Sequence, residues 1–298
     1  MPTINPRPVT GTFNEYLFLQ LKSSEGYGPT IYADGVGIPT LGVGYALVVY
    51  DKSTRQYRAR TANQIDQDLK LIDLDGNPTT VDVKLSSKDF QQLKAIEGML
   101  NAGRKVNAIN ATDGFAWSLP SISETQFRPL FDKLLAETLQ KIERKLGATV
   151  YAALKDSQEM AAVASVVFNR GFLSDGLKSA LLAGDRAEAW YEIRYRSNPG
   201  NVHGIAVRRY GEADLLFNLY DGAAGPLTKS EAMHAIRTVK ANLHAIQDYE
   251  GKVHTPAGSS YTVSLTPAIQ FMKAHYQSLG LSPDLKTKNG DILHFQAA

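Results

Sequence analysis

The chain contains no cysteine, which excludes a disulfide framework, a thiolate metal site and a cysteine nucleophile together. It also lacks a charge excess. With 32 Lys and Arg against 30 Asp and Glu the net charge is +2, so no overall field favours nucleic acid, and none is expected as a partner. Long apolar runs are missing too: stretches such as "AAVASVVF" (161–168) fall far short of the roughly 20 residues a membrane span needs. The opening "MPTINPRPVTGTFNEY" has one Arg and three prolines where a secretory leader would carry a basic segment and then an apolar stretch. Synthesis in the cytoplasm without a signal peptide is therefore expected. No Gly-x-Ser-x-Gly, phosphate loop or dinucleotide fingerprint occurs. "DLDGN" (73–77) opens like a calcium loop, but its glycine is misplaced and Lys84 stands where the bidentate Glu belongs. His234, His244 and His254 recur every ten residues, which is not a chelating interval on a helix. Neither a metal nor a cofactor is expected.

What is present is an ordinary globular composition, 43% apolar and 21% charged over 298 residues, enough for one elaborated domain or two small ones. Residues 1–12 are Pro-rich and expected to form a loosely held arm. Phe13, Tyr16, Leu17, Leu19 and Leu21 suit a short amphipathic helix with Glu25 near its end and Gly26 as its C-cap. "TIYADGVGIPTLGVGYALVVYD" carries β-formers on both sides of the Asp34-Gly35 turn pair, which predicts a small antiparallel sheet. Residues 51–85 are polar, with "DLDGNP" as a turn, and a helix ending at Gly103 follows, then a loop over 104–121. Ser123 and Gln126 form a capping-box pair that opens a long helix closed by Gly147. Further helices are predicted at about 157–169, 174–183, 185–196, 204–219, 228–249 and 266–279. The expected organisation is an arm (1–12), a sheet lobe (13–50), an insertion with one helix (51–120), a long helix with a helical lobe (121–220), and a C-terminal extension (221–298).

Glu25 and Asp34 are the only carboxylates in "SSEGYGPTIYADGVGIPTLGVGY" (23–45). Two carboxyls in different environments suit a reaction that needs one proton donor and one acceptor. Glu25, ending an apolar helix that faces a sheet, is the candidate for a raised pKa, while Asp34 on a water-open turn should stay ionised. Such a pair across a cleft can hydrolyse a glycosidic bond. Spacing alone leaves a structural alternative open, in which Glu25 caps or salt-bridges a helix and Asp34 merely supplies the turn.

The whole string resembles the active-site signature of the phage-type lysozymes, the muramidases of glycoside hydrolase family 24. The matching pieces are Glu25-Gly26, Ile31-Tyr32-Ala33-Asp34, Gly37 and Thr40-Leu41-Gly42-Val43-Gly44. The resemblance continues through "ISETQFRPLFDKLLAETLQKIERKL", "AAVASVVFNRGF" and "AWYEIRYRSNPGNVHGIAVRRYGE", so it spans about 13–50 and 121–220. It implies an α+β, lysozyme-like fold: a small antiparallel sheet lobe and a larger helical lobe joined by a long helix, here with an inserted segment and a C-terminal helical extension. It further implies Glu25 as general acid, Asp34 as the residue that positions or activates water, and Thr40 as holder of the nucleophilic water in an inverting mechanism. Gly42, Gly44, Tyr45, Phe168, Asn169, Arg208 and Arg209 take substrate-binding positions, with either arginine able to contact Glu25. Core roles compete for Phe168 and Trp190, a bulge or twist for Gly42 and Gly44, and solvated helix charges for the two arginines. Tyr45 and Ser24 depart from the family, which often has His and an acid there.

The implied function is a metal-free muramidase cleaving the β-1,4 MurNAc-GlcNAc bond of bacterial peptidoglycan, acting in the periplasm or outside the producing cell as a phage endolysin or a secreted antibacterial effector. The alternative is a non-catalytic cell-wall-binding or phage structural protein that kept the fold. A monomer is expected, with an immunity or inhibitor protein or a delivery component as further partners.

Overall fold

A computed structural model describes residues 6–34, 37–51, 53–72, 84–104, 117–216 and 229–253, with two short strands at 282–284 and 294–296. The fold is α+β, with eleven helices and small antiparallel sheets among the described residues. The chain forms two compact units, a sheet unit at 17–137 and a helical unit made of 1–16 and 138–298. The helices Phe13–Glu25 and Glu124–Leu146 each have residues in both. None of the described helices is long and apolar enough to cross a membrane.

In the sheet unit, α1 (Phe13–Glu25) stops at Gly26, whose φ of +77° lets its N–H return to the Lys22 carbonyl at 2.8 Å. Strands β1 (Gly28–Ala33), β2 (Pro39–Gly42) and β3 (Tyr45–Ala46) form an antiparallel sheet in that order. Tyr32 lies opposite Thr40 and Leu41 opposite Tyr45, with a bulge between Gly28 and Tyr32. The turn pair expected at Asp34-Gly35 is described only as far as Asp34, but Asp34 and Gly37 close the hairpin through the Gly37 N–H to Asp34 carbonyl bond, 2.9 Å.

The polar stretch 51–85 is more structured than its composition suggests. Strands β4 (Val48–Asp51) and β5 (Gln56–Ala59) pair antiparallel, and α2 (Ala62–Leu69) follows from a Thr61/Gln64 capping box. Strand β4 falls within the β-former run that predicts the sheet, while β5, alternating exposed and half-buried side chains in a polar stretch, was not anticipated; the Thr61/Gln64 capping box was readable. The "DLDGNP" turn lies outside the described residues, as does most of 104–121. Helix α3 (Ser87–Asn101) starts at Ser86 and stops ahead of Gly103 at φ +70°, as expected. Among its described residues the insertion thus carries two helices where one was expected.

Helix α4 (Glu124–Leu146) opens with the expected reciprocal bonds, Ser123 N–H to Gln126 Oε1 at 2.8 Å and Gln126 N–H to Ser123 Oγ at 3.3 Å. It supplies Phe127 and Phe131 to the sheet unit's core, where Phe131 meets Phe18 edge-on at 5.0 Å. Each such enclosed aromatic contributes roughly 1.5–3 kcal/mol through burial.

In the helical unit the described part of the N-terminal arm is not loose: Pro8 bridges Ser157, and Gln158 N–H donates to the Arg7 carbonyl at 2.8 Å. The anchor is Glu159, fully buried, which takes the Arg7 N–H at 2.9 Å, Arg7 Nε at 3.0 Å and also Arg186. Helix α5 (Ala148–Leu154) follows Gly147, which both closes α4 and precedes a helix that periodicity did not reveal. The buried helix α6 (Gln158–Arg170) is capped by Ser157 and stopped by Gly171 at φ +75°. Then come α7 (Asp175–Ala183), α8 (Arg186–Arg196) and α9 (His203–Leu216); α9 packs on α6 and α8, and α7 packs on α8.

The helix expected at 228–249 is two, α10 (Lys229–Ala241) and α11 (Leu243–Lys252), divided at Asn242 with φ −105° and ψ 8°. Helix α10 packs on α8, so this part of the extension joins the helical unit's core. The helix expected at 266–279 lies outside the described residues, and a short antiparallel pair, β6 (Ser282–Asp284) with β7 (His294–Gln296), was not anticipated.

Candidate active site in the sheet unit

Glu25 is the last residue of α1 and is half-buried. The Ser24 hydroxyl, standing where the resembled family often has an acid, donates to the Gln20 carbonyl of its own helix at 3.1 Å.

Asp34 follows the end of β1. Its carboxylate accepts the Ile38 N–H at 2.9 Å while its own N–H donates to the Ile38 carbonyl at 3.0 Å, a two-way clasp that fixes the side chain at the mouth of the hairpin. Thr40 sits just inside β2, 3% exposed, and its hydroxyl donates to the same Ile38 carbonyl at 3.0 Å. With its proton committed there, the Thr40 oxygen keeps lone pairs able to accept a hydrogen bond.

Tyr32 links these groups. It is the cross-strand partner of Thr40 and lies two residues before Asp34. Its ring lies over Gly28, where a Cβ would come within 2.1 Å of it. Burial pushes the Tyr32 phenol up, and the negative charges of Glu25 and Asp34 push it further, against a backbone hydrogen bond from Gly44. Both carboxylates therefore act on one phenol.

Several expected substrate contacts take other roles. Gly42 has φ +60°, and a Cβ on it would meet the Phe127 ring at 2.4 Å, so its bareness admits a core aromatic rather than a glycan. Gly44, half-buried at φ +78°, serves the turn into β3 and the Tyr32 hydroxyl. Tyr45 is fully buried: its hydroxyl donates to Asp68 at 2.7 Å, Arg60 stands 4.9 Å over its ring, and burial pushes its phenol well up. A side chain enclosed this way cannot touch a substrate. Alternation explains it, because Leu41 and Tyr45 are cross-strand partners and both face the core.

In the helical unit, Arg208 and Arg209 are buried, and both bind Glu212. Arg208 Nε lies 2.9 Å from Glu212, its Nη2 reaches the Ser165 carbonyl at 3.2 Å, and Ser165 Oγ donates to Glu212 at 2.5 Å. Arg209 also donates to Asn169, which is exposed, while Phe168 is half-buried. Neither arginine is a solvated helix charge; they form one internal network whose carboxylate, Glu212, was missed. The three- and four-residue spacing in "RRYGE" was the available signal. Trp190 is a core anchor, 1% exposed and edge-on to Tyr195 at 5.5 Å.

No protein-family model matches this chain, and no curated protein does.

Proposed function

We propose that the protein is a muramidase that hydrolyses the β-1,4 bond between N-acetylmuramic acid and N-acetylglucosamine in peptidoglycan, with inversion. The observation that carries the reading is the hairpin geometry at Ile38, whose N–H holds the Asp34 carboxylate and whose carbonyl holds the Thr40 hydroxyl, with Tyr32 paired across to Thr40. It fits the Glu-Gly, Ile-Tyr-x-Asp and Thr-x-Gly-x-Gly string that resembles the phage-type lysozymes.

In this mechanism Glu25 protonates the departing glycosidic oxygen as the bond to the anomeric carbon breaks. Asp34 takes a proton from a water that attacks the opposite face, and Thr40 accepts that water's second proton as a hydrogen bond. Glu25 ends ionised and Asp34 protonated, and solvent exchange restores both. The protein acts on the wall either from inside a phage-infected cell or as an antibacterial effector delivered to a rival.

Purified peptidoglycan tests this directly. Wild-type protein is expected to release reducing ends with inverted anomeric configuration by NMR. Glu25→Gln is expected to lower the rate by roughly 10²–10⁴ or more with unchanged circular dichroism. Wall binding without reducing ends would instead select the non-catalytic reading.

A further inference from the structure

The helical unit carries a half-open cavity of about 600 Å³ that no part of the proposed chemistry uses. Its walls come from the end of α8, the 197–202 loop, the start of α7, and α11 of the C-terminal extension. The extension is stitched onto that loop by Asn198 Nδ2, which donates to the Tyr249 hydroxyl at 2.9 Å and to the Val202 carbonyl at 2.8 Å. The cavity therefore exists because the extension is there, and its volume falls in the range of small-molecule sites.

Its lining holds two opposite charges one helical turn apart on α8. Glu192 is half-buried, and among the described residues its carboxylate has no hydrogen-bond or ion-pair partner. Burial pushes that carboxyl up, with Arg196 and Arg170 opposing. Arg196 is exposed at the same cavity and likewise has no direct partner among the described residues. Space for the Glu192 carboxyl is provided by Gly176, where a Cβ would stand 2.4 Å from it. Tyr191 and Tyr249 add aromatic wall, and Lys252, bonded to Asp248 at 2.6 Å, lies at the rim. An unpaired, partly desolvated carboxylate is costly, and a ligand cation offsets that cost.

The geometry points to a binding site for an α-amino-acid head group, its ammonium on Glu192 beside the tyrosines and its carboxylate on Arg196. Charge-assisted hydrogen bonds to both of its charges favour such a zwitterion over a neutral sugar. The head group can belong to a free amino acid or to the diamino acid of a peptidoglycan stem; the second source rests on the muramidase reading.

Isothermal titration of the full chain tests this with three probes: meso-diaminopimelate, the tripeptide L-alanyl-γ-D-glutamyl-meso-diaminopimelate, and the MurNAc-GlcNAc disaccharide without peptide. Saturable binding of the first two is expected, weakened about tenfold or more by Glu192→Gln and by Arg196→Gln. Arg196 is exposed, so its variant keeps the fold even if Glu192→Gln does not. Binding of the tripeptide alone would assign the site to a stem, and equal binding of free diaminopimelate to the head group itself. Absence of saturable binding by either at millimolar concentration, or affinity that both variants leave unchanged, overturns the proposal. Reducing-end release by the same preparation reports on the muramidase reading separately, since cleavage without binding sinks only this site and binding without cleavage sinks only the enzyme.

Discussion

Thr40 and Tyr32 are paired across the β1–β2 hairpin, and the Thr40 hydroxyl shares the Ile38 carbonyl with the Asp34 N–H. Removing the hydroxyl therefore leaves that carbonyl with a donor. Thr40→Val keeps the branched shape and is expected to change the melting temperature little. In the proposed mechanism it lowers kcat by about a hundredfold with KM nearly unchanged, because the lost interaction belongs to the attacking water. Steady-state kinetics on soluble peptidoglycan fragments, beside a thermal melt, separates this outcome from a purely structural role, which would move the melt first.

Gly42→Ala should fail structurally. The added methyl meets the Phe127 ring and the backbone stands at φ +60°, so a loss of about 2–4 kcal/mol is expected in urea unfolding. An alanine tolerated there, with activity reduced only through KM, would return Gly42 to the substrate surface.

Tyr45→Phe removes the hydroxyl that donates to Asp68, although Asp68 keeps Lys133 at 2.9 Å. The expected cost is about 1–2 kcal/mol of stability, with kcat/KM unaltered at a temperature well below unfolding. A selective rise in KM in a fully stable variant would contradict the enclosure described for this ring.

Asp214 gives a pH signature. Burial pushes its carboxyl up from 3.8 to about 6, with Arg194, 3.5 Å away, opposing. The folded chain thus holds this proton after the unfolded chain has released it, so the stability it brings is complete below 3.8 and is lost as pH rises through about 6. The side chain is 31% exposed, and solvent screening reduces the effect to about 1–2 kcal/mol. Calorimetry from about pH 4 to pH 7 should show a falling contribution that Asp214→Asn removes; parallel profiles for the two proteins would refute it.

Much of this fold could be read from local signals. The Ser123/Gln126 capping box opens α4, Gly26 and Gly103 follow helix ends, and the β-formers around Asp34 flank the hairpin, because each depends on residues near one another in the chain. What escaped depends on distant partners or on exposed strands. Nothing in the prolines at the start announces that Arg7 meets Glu159, and the aromatic at 45 looks like a cleft residue until alternation and Asp68 place it inside. The arginine pair carried a local cue in Glu212, yet its enclosure beside Ser165 required the packing of α9 on α6. The proposed catalytic residues Glu25, Asp34 and Thr40 all stand in the string, while the pairing of Tyr32 with Thr40 is visible only through register.

The contact of Arg7 with Glu159 spans 152 residues of sequence, and the whole sheet unit is contained in the chain between them. Because a chain is made from its N-terminal side, Arg7 exists long before the carboxylate that holds it, which arrives only after residues 17–137. Locking of the arm onto Glu159 therefore follows synthesis of the sheet unit's sequence, and a change at Arg7 acts on a contact that forms late.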